Sequence, residues 1–304
     1  MVGGAARVDV GIVSWNTREL TLKALRHLMD LPDRVDLRLL VRDNGSTDGT
    51  ADAIAEELPD VVLDRGPNVG FAGGVNALLA QSDAPWFLTL NSDAWPEPGA
   101  VEQLLRVGEA QPLAAAVAPL LLRPEGGVEH SAHALPSLGT AALTAMGAQR
   151  LLGRRAGDGL LPGTWQHDAE RPVGWAVGAA LLMRRAAVAE LGAFDDSLFM
   201  YGEDLDWCWR AHERGWQTWF TPAAVVRHVG NASGEQRWGE SRDRVVIGSA
   251  NRVVAQHLPA GRARVWRGLN AAGALRSAVG ARLRGDRDLA AAWRRQVPAH
   301  LRRP

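Results

Sequence analysis

The stretch VDVGIVSWNTRELTLKALRHLMDL, residues 8–31, contains an apolar run followed at once by an amphipathic segment. Val8–Trp15 has the nearly continuous apolar character of a strand that is buried on both faces. Arg18–Leu31 repeats its apolar residues at helical spacing, with leucines at positions 20, 22, 25 and 28. A buried strand that leads directly into a helix is the repeating unit of a parallel sheet.

The same alternation continues through residue 122. Further strands are predicted at 37–43, 61–64, 86–90 and 115–122, and further helices at 50–58, 73–82 and 98–110. The pattern predicts an α/β fold with a mostly parallel central sheet and helices on both faces. In such sheets ligands bind beyond the carboxyl ends of the strands.

Residues 123–172 break this rhythm, because they are rich in Gly, Pro and Arg and show no strong period. We expect an irregular insertion there. Beyond it the sequence predicts a helix at Glu203–Arg214, two short strands at Gln217–Phe220 and Ala223–Val226, and helices from about Glu235 onward.

The composition is that of an ordinary globular protein: of 304 residues, 46% are apolar and 22% are charged. The single cysteine, Cys208, rules out an intramolecular disulfide and fits a reducing compartment. The N terminus lacks the basic head and apolar run of a signal peptide, and the apolar run Val173–Met183 is too short to span a bilayer. These features predict a cytoplasmic protein.

Polar residues cluster where the predicted strands end. Asn and Asp side chains follow three of the strands, and a glycine-rich loop, Asn68–Gly74, precedes the third helix. Each group alone is explained by a turn or a helix cap. Together on one sheet edge they indicate a nucleotide site. Neither G-x-G-x-x-G after the first strand nor G-x-x-x-x-G-K-[ST] is present, so hydride transfer and P-loop phosphoryl transfer are poorly supported.

Six motifs occur in a fixed order along residues 8–230: S-W-N, D-N-G-S-T-D, N-V-G-F-A-G-G-V-N, L-N-S-D, G-W-A-V-G-A-A-L-L-M-R-R and F-D-D-S-L-F-M-Y-G-E-D-L-D-W-C-W-R. In this order they resemble the family 2 glycosyltransferases with the GT-A fold, and among them the rhamnosyltransferase-like subgroup. The resemblance implies a catalytic domain at 1–257, with a nucleotide-binding half at about 1–122 and an acceptor and catalytic half at about 173–230. A basic helical tail, 258–304, follows.

By this resemblance Asp43 accepts a hydrogen bond from the N3–H of uracil or thymine, since a carboxylate only accepts. Other residues are assigned to the nucleotide with it: Ser14, Trp15, Asn16, Asn68, Asn76, Asn91 and Ser92.

The resemblance also implies a divalent cation, Mg²⁺ or Mn²⁺, held by the acidic motif after the fourth strand. The family pattern there is usually D-x-D, and this chain has Asn91 at the first position. Asp93 is then the carboxylate ligand, and Asn91 adds a weaker amide contact. His228 is a second metal ligand by position in the family, although a lone histidine is more often a surface or core residue.

Glu203, Asp204 and Asp206 lie at the start of a predicted helix, where the macrodipole alone favours acids. The resemblance makes Asp204 the general base, with Glu203 as the second candidate. One base and one cation, without a carboxylate nucleophile, imply inversion of the anomeric centre. Gly174, Trp175 and Gly178 are assigned to the acceptor, although Trp175 fits a packed core equally well.

The predicted activity is an inverting hexosyl transfer in cell-surface polysaccharide assembly. The expected donor is dTDP-L-rhamnose, or otherwise a UDP-sugar, and the expected acceptor is a glycan or a polyprenyl-linked saccharide. Two alternatives remain open: a non-catalytic binder of sugar nucleotides, favoured by Asn91, and a sugar-1-phosphate nucleotidyltransferase. The latter would need a basic, glycine-rich first loop where this chain has Ser14-Trp15-Asn16.

The tail 258–304 carries eleven arginines and two aspartates. Between the arginines, apolar residues recur at helical spacing: Val265, Leu269, Ala272, Leu275, Val279 and Leu283. Such a helix either packs on protein or lies on the anionic inner face of the plasma membrane. No motif that reads nucleic acid is present in the tail, so nucleic acid is not an expected partner.

Overall fold

The computed structural model describes residues 7–32, 34–148, 167–230 and 238–302. The chain divides into two compact units. The first comprises Met1–His133 and His167–Arg237, and the second comprises Ala134–Gln166 and Trp238–Pro304.

The first unit contains all twelve strands of the described residues. They are β1 Arg7–Ser14, β2 Asp36–Asp43, β3 Val62–Arg65, β4 Trp86–Asn91, β5 Ala94–Pro96, β6 Ala114–Leu122, β7 Val128–Glu129, β8 Ala132–His133, β9 Arg171–Val173, β10 Trp175–Ala176, β11 Ala180–Arg184 and β12 Gln217–His228. Its helices are α1 Arg18–Met29, α2 Thr50–Glu57, α3 Gly70–Leu79, α4 Ala100–Ala110, α6 Arg185–Leu191 and α7 Glu203–Glu213.

The main sheet has the strand order β3-β2-β1-β4-β11-β6-β12-β5. Strands β3, β2, β1 and β4 are parallel to one another, as is the pair β6 and β12, whereas β11 runs antiparallel to both of its neighbours. The first four strands therefore deliver their carboxyl ends to one edge, which is where the polar motifs lie. The predicted α/β class is confirmed.

Two apolar cores lie on opposite faces of the sheet. Alternating residues of β4 show this, since Leu88 packs in the core with α1, α2 and α4, and Phe87 packs in the core with α3, α6 and α7. Helix α1 contributes Leu22 and Leu25, and α7 contributes Trp207. Burial on both faces explains why these strands are apolar runs without alternation.

Three sequence predictions differ from the structure. The segment 123–172 contains β7, β8, the helix α5 Leu138–Met146 and β9, and its part 149–166 lies outside the described residues. The two short strands near residue 220 are one strand, β12, whose register shifts between Thr221 and Val225. Pro222 lies within that shift, and a bulge tolerates a proline, which lacks a ladder donor.

The third difference is the start of α3, which begins at Gly70 rather than Gly73. Gly70 has φ +82°, and a Cβ there would overlap the carbonyl oxygen of Phe199. Gly70 is thus required by a close backbone approach and by its positive φ.

The second unit contains α5 with α8 Arg242–His257, α9 Ala260–Leu283 and α10 Arg287–Leu301. Asn251 of α8 donates to the Ala299 carbonyl of α10 at 3.1 Å, and Arg276 of α9 donates to the Ala145 carbonyl of α5 at 2.8 Å. The predicted basic tail lies within this unit as α9 and α10. In the described part of the chain, helices that combine the length and apolarity needed to cross a bilayer are absent.

Candidate active site

The loop from Asp43 to Asp48, termed the β2–α2 loop, begins with a buried carboxylate. Asp43 is 4% exposed, and its Oδ2 accepts the backbone N–H of Ser46 at 3.1 Å. Within the described residues its Oδ1 is buried and lacks a hydrogen-bond partner. A buried acceptor without a donor is costly, so this oxygen is suited to an N–H that a ligand brings.

Asn16 connects the end of β1 to the β2–α2 loop. It has φ +52°, its N–H donates to Ser46 Oγ at 3.0 Å, and its Oδ1 accepts the N–H of Thr47 at 2.8 Å. An asparagine tolerates this left-handed backbone better than most residues. The adjacent Trp15 is half-buried.

Ser14 is fully buried and does not present its hydroxyl at the surface. Its Oγ lies 2.8 Å from Thr21 Oγ1 and 3.1 Å from Thr17 Oγ1, and Thr17 in turn donates to Ser92 Oγ at 3.0 Å. Residues Asn91–Asp93 are termed the acidic loop. The hydroxyls of Ser14, Thr17 and Thr21 therefore connect β1 and α1 to this loop through Ser92. The hydroxyls of Ser14 and Ser92 contact other hydroxyls of the protein. The assignment of these two residues to the nucleotide stays a prediction.

Asn68 and Asn76 use their side chains on the backbone. Asn68 Oδ1 accepts the N–H of Gly70, the first residue of α3, at 3.1 Å. Asn76 both donates to and accepts from the backbone of Phe194, at 2.9 and 3.0 Å. This bidentate pairing fixes the chain ahead of α7, and any contact of Asn76 with a nucleoside stays a prediction.

The acidic loop faces the end of β12. Asp93 Oδ1 lies 3.3 Å from His228 Nε2, and Asn91 Nδ2 lies 3.2 Å from the same nitrogen. The other ring nitrogen, Nδ1, is 2.9 Å from Glu129 Oε2. Pairing of β5 with β12, which sets His228 opposite Ala94, places these groups together.

His228 is buried between two carboxylates. Burial by itself lowers the pKa of the imidazole, but the hydrogen bonds and charges of Asp93 and Glu129 outweigh it and raise the pKa to about 9. Among the described residues, no group of three or more His, Cys, Asp or Glu side chains has the arrangement of a metal site.

A cation bound through few protein ligands still fits this place. Mg²⁺ is usually bound by one or two carboxylates together with substrate phosphates, at roughly 2.0–2.1 Å. Asp93 Oδ1 and His228 Nε2, 3.3 Å apart, are close enough to be neighbouring ligands of one ion. Their donor set of oxygen and imidazole nitrogen suits Mn²⁺ as well.

Asp204 lies at the start of α7, in the segment Tyr201–Asp204 termed the E-D turn. Its Oδ2 accepts the N–H of Gly178 at 2.9 Å, and its Oδ1 accepts the N–H of Leu205 at 2.8 Å. Burial raises the pKa of Asp204, and these N–H groups partly offset the rise. A carboxylate with a raised pKa accepts protons more readily than an ordinary aspartate.

Glu203 differs from its neighbour in its partners. Burial and the charge of Asp204 raise the pKa of Glu203 well above its ordinary value. In the described part of the structure its Oε2 is buried without a hydrogen-bond partner. Asp204 accepts two backbone N–H groups that stabilise its ionised form, and Glu203 Oε2 has no such donor among the described residues, which favours Asp204 as the base.

The backbone of the E-D turn is strained. Tyr201 has φ +69° and Gly202 has φ +93°. A left-handed conformation costs little at glycine but is uncommon at tyrosine, and such residues concentrate at functional sites. The turn aims the start of α7 at Gly178.

The predicted acceptor residues lie on β10 and its flanks. Gly174 donates its N–H to the His133 carbonyl at 2.8 Å. The indole of Trp175 is half-buried and stacks on the His133 ring, with centroids 4.6 Å apart and planes at 27°. The N–H of Gly178 donates to Asp204 Oδ2. Gly178 also lies beside Phe71, because a Cβ added at Gly178 would be 3.5 Å from the phenyl ring.

A continuous set of contacts joins the β2–α2 loop to the acidic loop. Asn44 donates to the Gly70 carbonyl at 2.9 Å, and the next residue, Phe71, packs beside Gly178. Ala179 then accepts the N–H of Asn91 at 2.9 Å. Asp43, Asp204 and Asp93 are thus placed along one edge of the sheet.

Known proteins are similar to this chain over much of the region that carries the site. The profile described as "Glycosyl transferase family 2" matches residues 9–154. N-acetylglucosaminyl-diphospho-decaprenol L-rhamnosyltransferase of Mycobacterium tuberculosis is 36% identical over 206 residues. Over these residues the chain resembles glycosyl transferase family 2. The matched residues are 62% of this chain and 66% of the relative, just under two thirds of its length.

One further sequence relative and two solved structures are also similar to this chain. Pre-mycofactocin glycosyltransferase of M. tuberculosis is 30% identical over 195 residues, covering 63% of this chain and 37% of the relative. The mannosyltransferase PcManGT from Pyrobaculum calidifontis, solved with GDP-Man and Mn²⁺, aligns with TM-score 0.59 and 16% identity over 97% of this chain and 87% of its own. GalNAc-T7, solved with UDP, GalNAc and Mn²⁺, aligns with TM-score 0.57 and 14% identity over 88% and 55%. The GT-A fold is confirmed, and these two neighbours hold Mn²⁺.

Several residues that contact predicted site residues were not singled out from the sequence. Among them are Asn44, Glu129 and His133. The sequence carried a signal for Asn44, because it directly follows Asp43 in the motif D-N-G-S-T-D. Glu129 and His133 lie in the segment predicted as irregular, where no local signal marks them.

Proposed function

We propose that this protein is an inverting glycosyltransferase that uses a pyrimidine nucleotide sugar. One observation carries the proposal: the buried carboxylate of Asp204 is aimed by two backbone N–H groups, at the same sheet edge as Asp43 and Asp93. Asp204 takes the proton of the acceptor hydroxyl as that oxygen attacks the anomeric carbon. One positioned base, without a carboxylate assigned as nucleophile, implies single displacement with inversion.

Asp43 recognises the base. Its buried Oδ1 accepts the N3–H that uracil and thymine present, while Oδ2 is already held by the β2–α2 loop. Cytosine has no N–H at this position and leaves the oxygen unsatisfied, which costs about 1–3 kcal/mol.

We predict that dTDP and UDP raise the melting temperature of the wild type and that CDP does not. At 100 times Kd a ligand stabilises by about 2.7 kcal/mol. Asp43→Asn is expected to lose most of this shift, because either amide orientation sets an N–H donor against another donor. Thermal shift measures it, with Asp36→Asn, at the exposed opposite end of β2, as the matched control. A CDP shift equal to that of dTDP would contradict the assignment of Asp43.

Asp93 and His228 would hold a divalent cation together with the donor diphosphate, and Asn91 would add an amide. When bound, the cation would supply positive charge that stabilises the diphosphate leaving group. Asp93 is the one carboxylate of the acidic loop, so the protein side of the site depends on it.

The donor we propose is dTDP-L-rhamnose and the acceptor a polyprenyl-linked saccharide. The support is the 36% identical relative, whose name gives both an L-rhamnosyl group and a diphospho-decaprenol acceptor. Such an activity belongs to cell-wall polysaccharide assembly.

The exposed face of α9 supports contact with an anionic membrane. Its inward side carries small residues such as Ala274 and Ala278, whereas Leu275, Val279 and Leu283 are 52–83% exposed. These three follow at four-residue intervals and so share one face. Exposed arginines lie on the same helix: Arg262, Arg264, Arg282 and Arg284. Large apolar residues among arginines on the outside of a helix fit an anionic bilayer surface.

We predict that the wild type floats with vesicles containing phosphatidylglycerol and not with pure phosphatidylcholine. Leu275→Glu/Val279→Glu is expected to stay in the unbound fraction without loss of thermal stability, because both side chains are already exposed. Leu113→Glu, also 55% exposed, is the matched control. Equal flotation of the double variant and the wild type would assign the face to another role.

A non-catalytic binder of sugar nucleotides is the second candidate, favoured by Asn91 at the first position of the acidic motif. Donor hydrolysis in Mn²⁺ separates the two, since a binder protects the donor and an enzyme consumes it.

A further inference from the structure

Glu129 is a carboxylate beside His228, and neither the sequence motifs nor the comparisons give it a role. Its Oε2 lies 2.9 Å from His228 Nδ1, and its side chain is 25% exposed against 5% for His228. It is the second residue of β7, a two-residue strand, and is separated from His228 by 99 positions in sequence.

Strand register brings the two residues together. β7 pairs with the end of β6, where Glu129 is opposite Leu121, and β12 pairs with β6 at the same level, where Val226 is opposite Leu121. The carboxylate therefore meets the imidazole across the end of β6. Because Nδ1–H donates to Glu129, Nε2 is the nitrogen that faces Asp93 and Asn91.

We propose that Glu129 is a positioning residue of the cation site, which holds His228 with Nε2 towards Asp93 and supplies the negative charge that Asn91 does not. This rests on the proposed function only in that Asp93 and His228 bind a cation. A carboxylate on the far nitrogen of a ligating histidine fixes its orientation and increases its basicity as a ligand. The site then has two carboxylates despite the amide at position 91, one in contact with the ion and one acting through the imidazole.

A purely structural role makes a different prediction. If the pair only fastens the β6–β7 hairpin to β12, replacing Glu129 lowers thermal stability and leaves cation affinity unchanged. Affinity for Mn²⁺ must therefore be measured beside the melting temperature.

The experiment titrates Mn²⁺ alone into the full-length protein and follows the electron paramagnetic resonance signal of the free ion. Glu129→Ala is expected to weaken Mn²⁺ binding by about 10–100-fold, the usual effect of removing such a partner. Glu129→Gln, whose side-chain oxygen still accepts Nδ1–H, is expected to fall between Glu129→Ala and the wild type. Glu125→Gln, in the exposed turn of the same hairpin, is the matched control.

The decisive variant is Glu129→Gln/Asn91→Asp. If Glu129 compensates for Asn91, a carboxylate restored at position 91 returns Mn²⁺ affinity to the wild-type range. Wild-type affinity in Glu129→Ala, no recovery in the double variant, or no Mn²⁺ binding by the wild type would each overturn the proposal. Normal Mn²⁺ binding without sugar transfer would instead count against the proposed function alone.

Discussion

Asp204→Asn is expected to keep donor binding and to slow sugar transfer by a factor of about 10²–10⁴, the usual contribution of a positioned general base. The amide cannot take the proton of the acceptor hydroxyl. Its nitrogen also faces the N–H of Gly178 or of Leu205, so we expect a loss of about 1–3 kcal/mol in stability as well. Transfer is measured with dTDP-rhamnose and a polyprenyl-diphosphate-linked saccharide, and binding by the thermal shift with dTDP.

Glu203→Gln is the matched control for this variant. Burial and the charge of Asp204 raise the pKa of Glu203, and its Oε2 is buried without a hydrogen-bond partner in the described structure, so an amide at this position breaks no hydrogen bond of that oxygen. The control should therefore retain far more transfer than Asp204→Asn. Wild-type transfer in Asp204→Asn, or the larger loss in Glu203→Gln, would move the base to Glu203 or elsewhere.

Asp93→Ala is expected to remove the Mn²⁺ dependence of transfer. A cation that stabilises a leaving group contributes several kcal/mol, so the rate with Mn²⁺ should fall by about 10²–10³-fold. The variant also leaves His228 with Glu129 as its one remaining carboxylate partner among the contacts described above. Transfer is measured at increasing Mn²⁺ concentration.

Two controls define that result. Glu97→Ala removes a carboxylate that pairs with Arg227 on the same strand as His228 but away from the acidic loop, and should retain Mn²⁺ dependence. Wild-type protein treated with EDTA should match Asp93→Ala. Full transfer by the wild type in EDTA would show that Asn91 marks a site that works without a metal.

The fold was predictable because its signals are local. β1 and β4 are mostly apolar runs that lead into a helix or polar loop, and the observed bounds of β1 to β4 differ from the predicted ones by a few residues. The sheet edge followed from the rule that parallel strands end together. The GT-A assignment rested on motif order, which the comparisons bear out.

The roles of single amides were less predictable. Asn68 and Asn76 stand in the expected loop, yet both side chains bond to backbone groups. An asparagine near a ligand and one that supports a loop look the same in sequence, since both need one donor and one acceptor. The contact of Glu129 with His228 is harder still to predict from the sequence, because it depends on the register of strands that are far apart in the chain.

The central claim is that nucleotide and cation share one site at this sheet edge, and calorimetric coupling tests it most directly. The affinity for dTDP is measured with and without Mn²⁺ in the wild type, Asp93→Ala and Asp204→Asn. Coupling between linked sites is typically about 1–3 kcal/mol, or about 5–150-fold in affinity. The account predicts coupling in that range for the wild type and Asp204→Asn, and none for Asp93→Ala. Equal dTDP affinity with and without Mn²⁺ in the wild type, or undiminished coupling in Asp93→Ala, would contradict it.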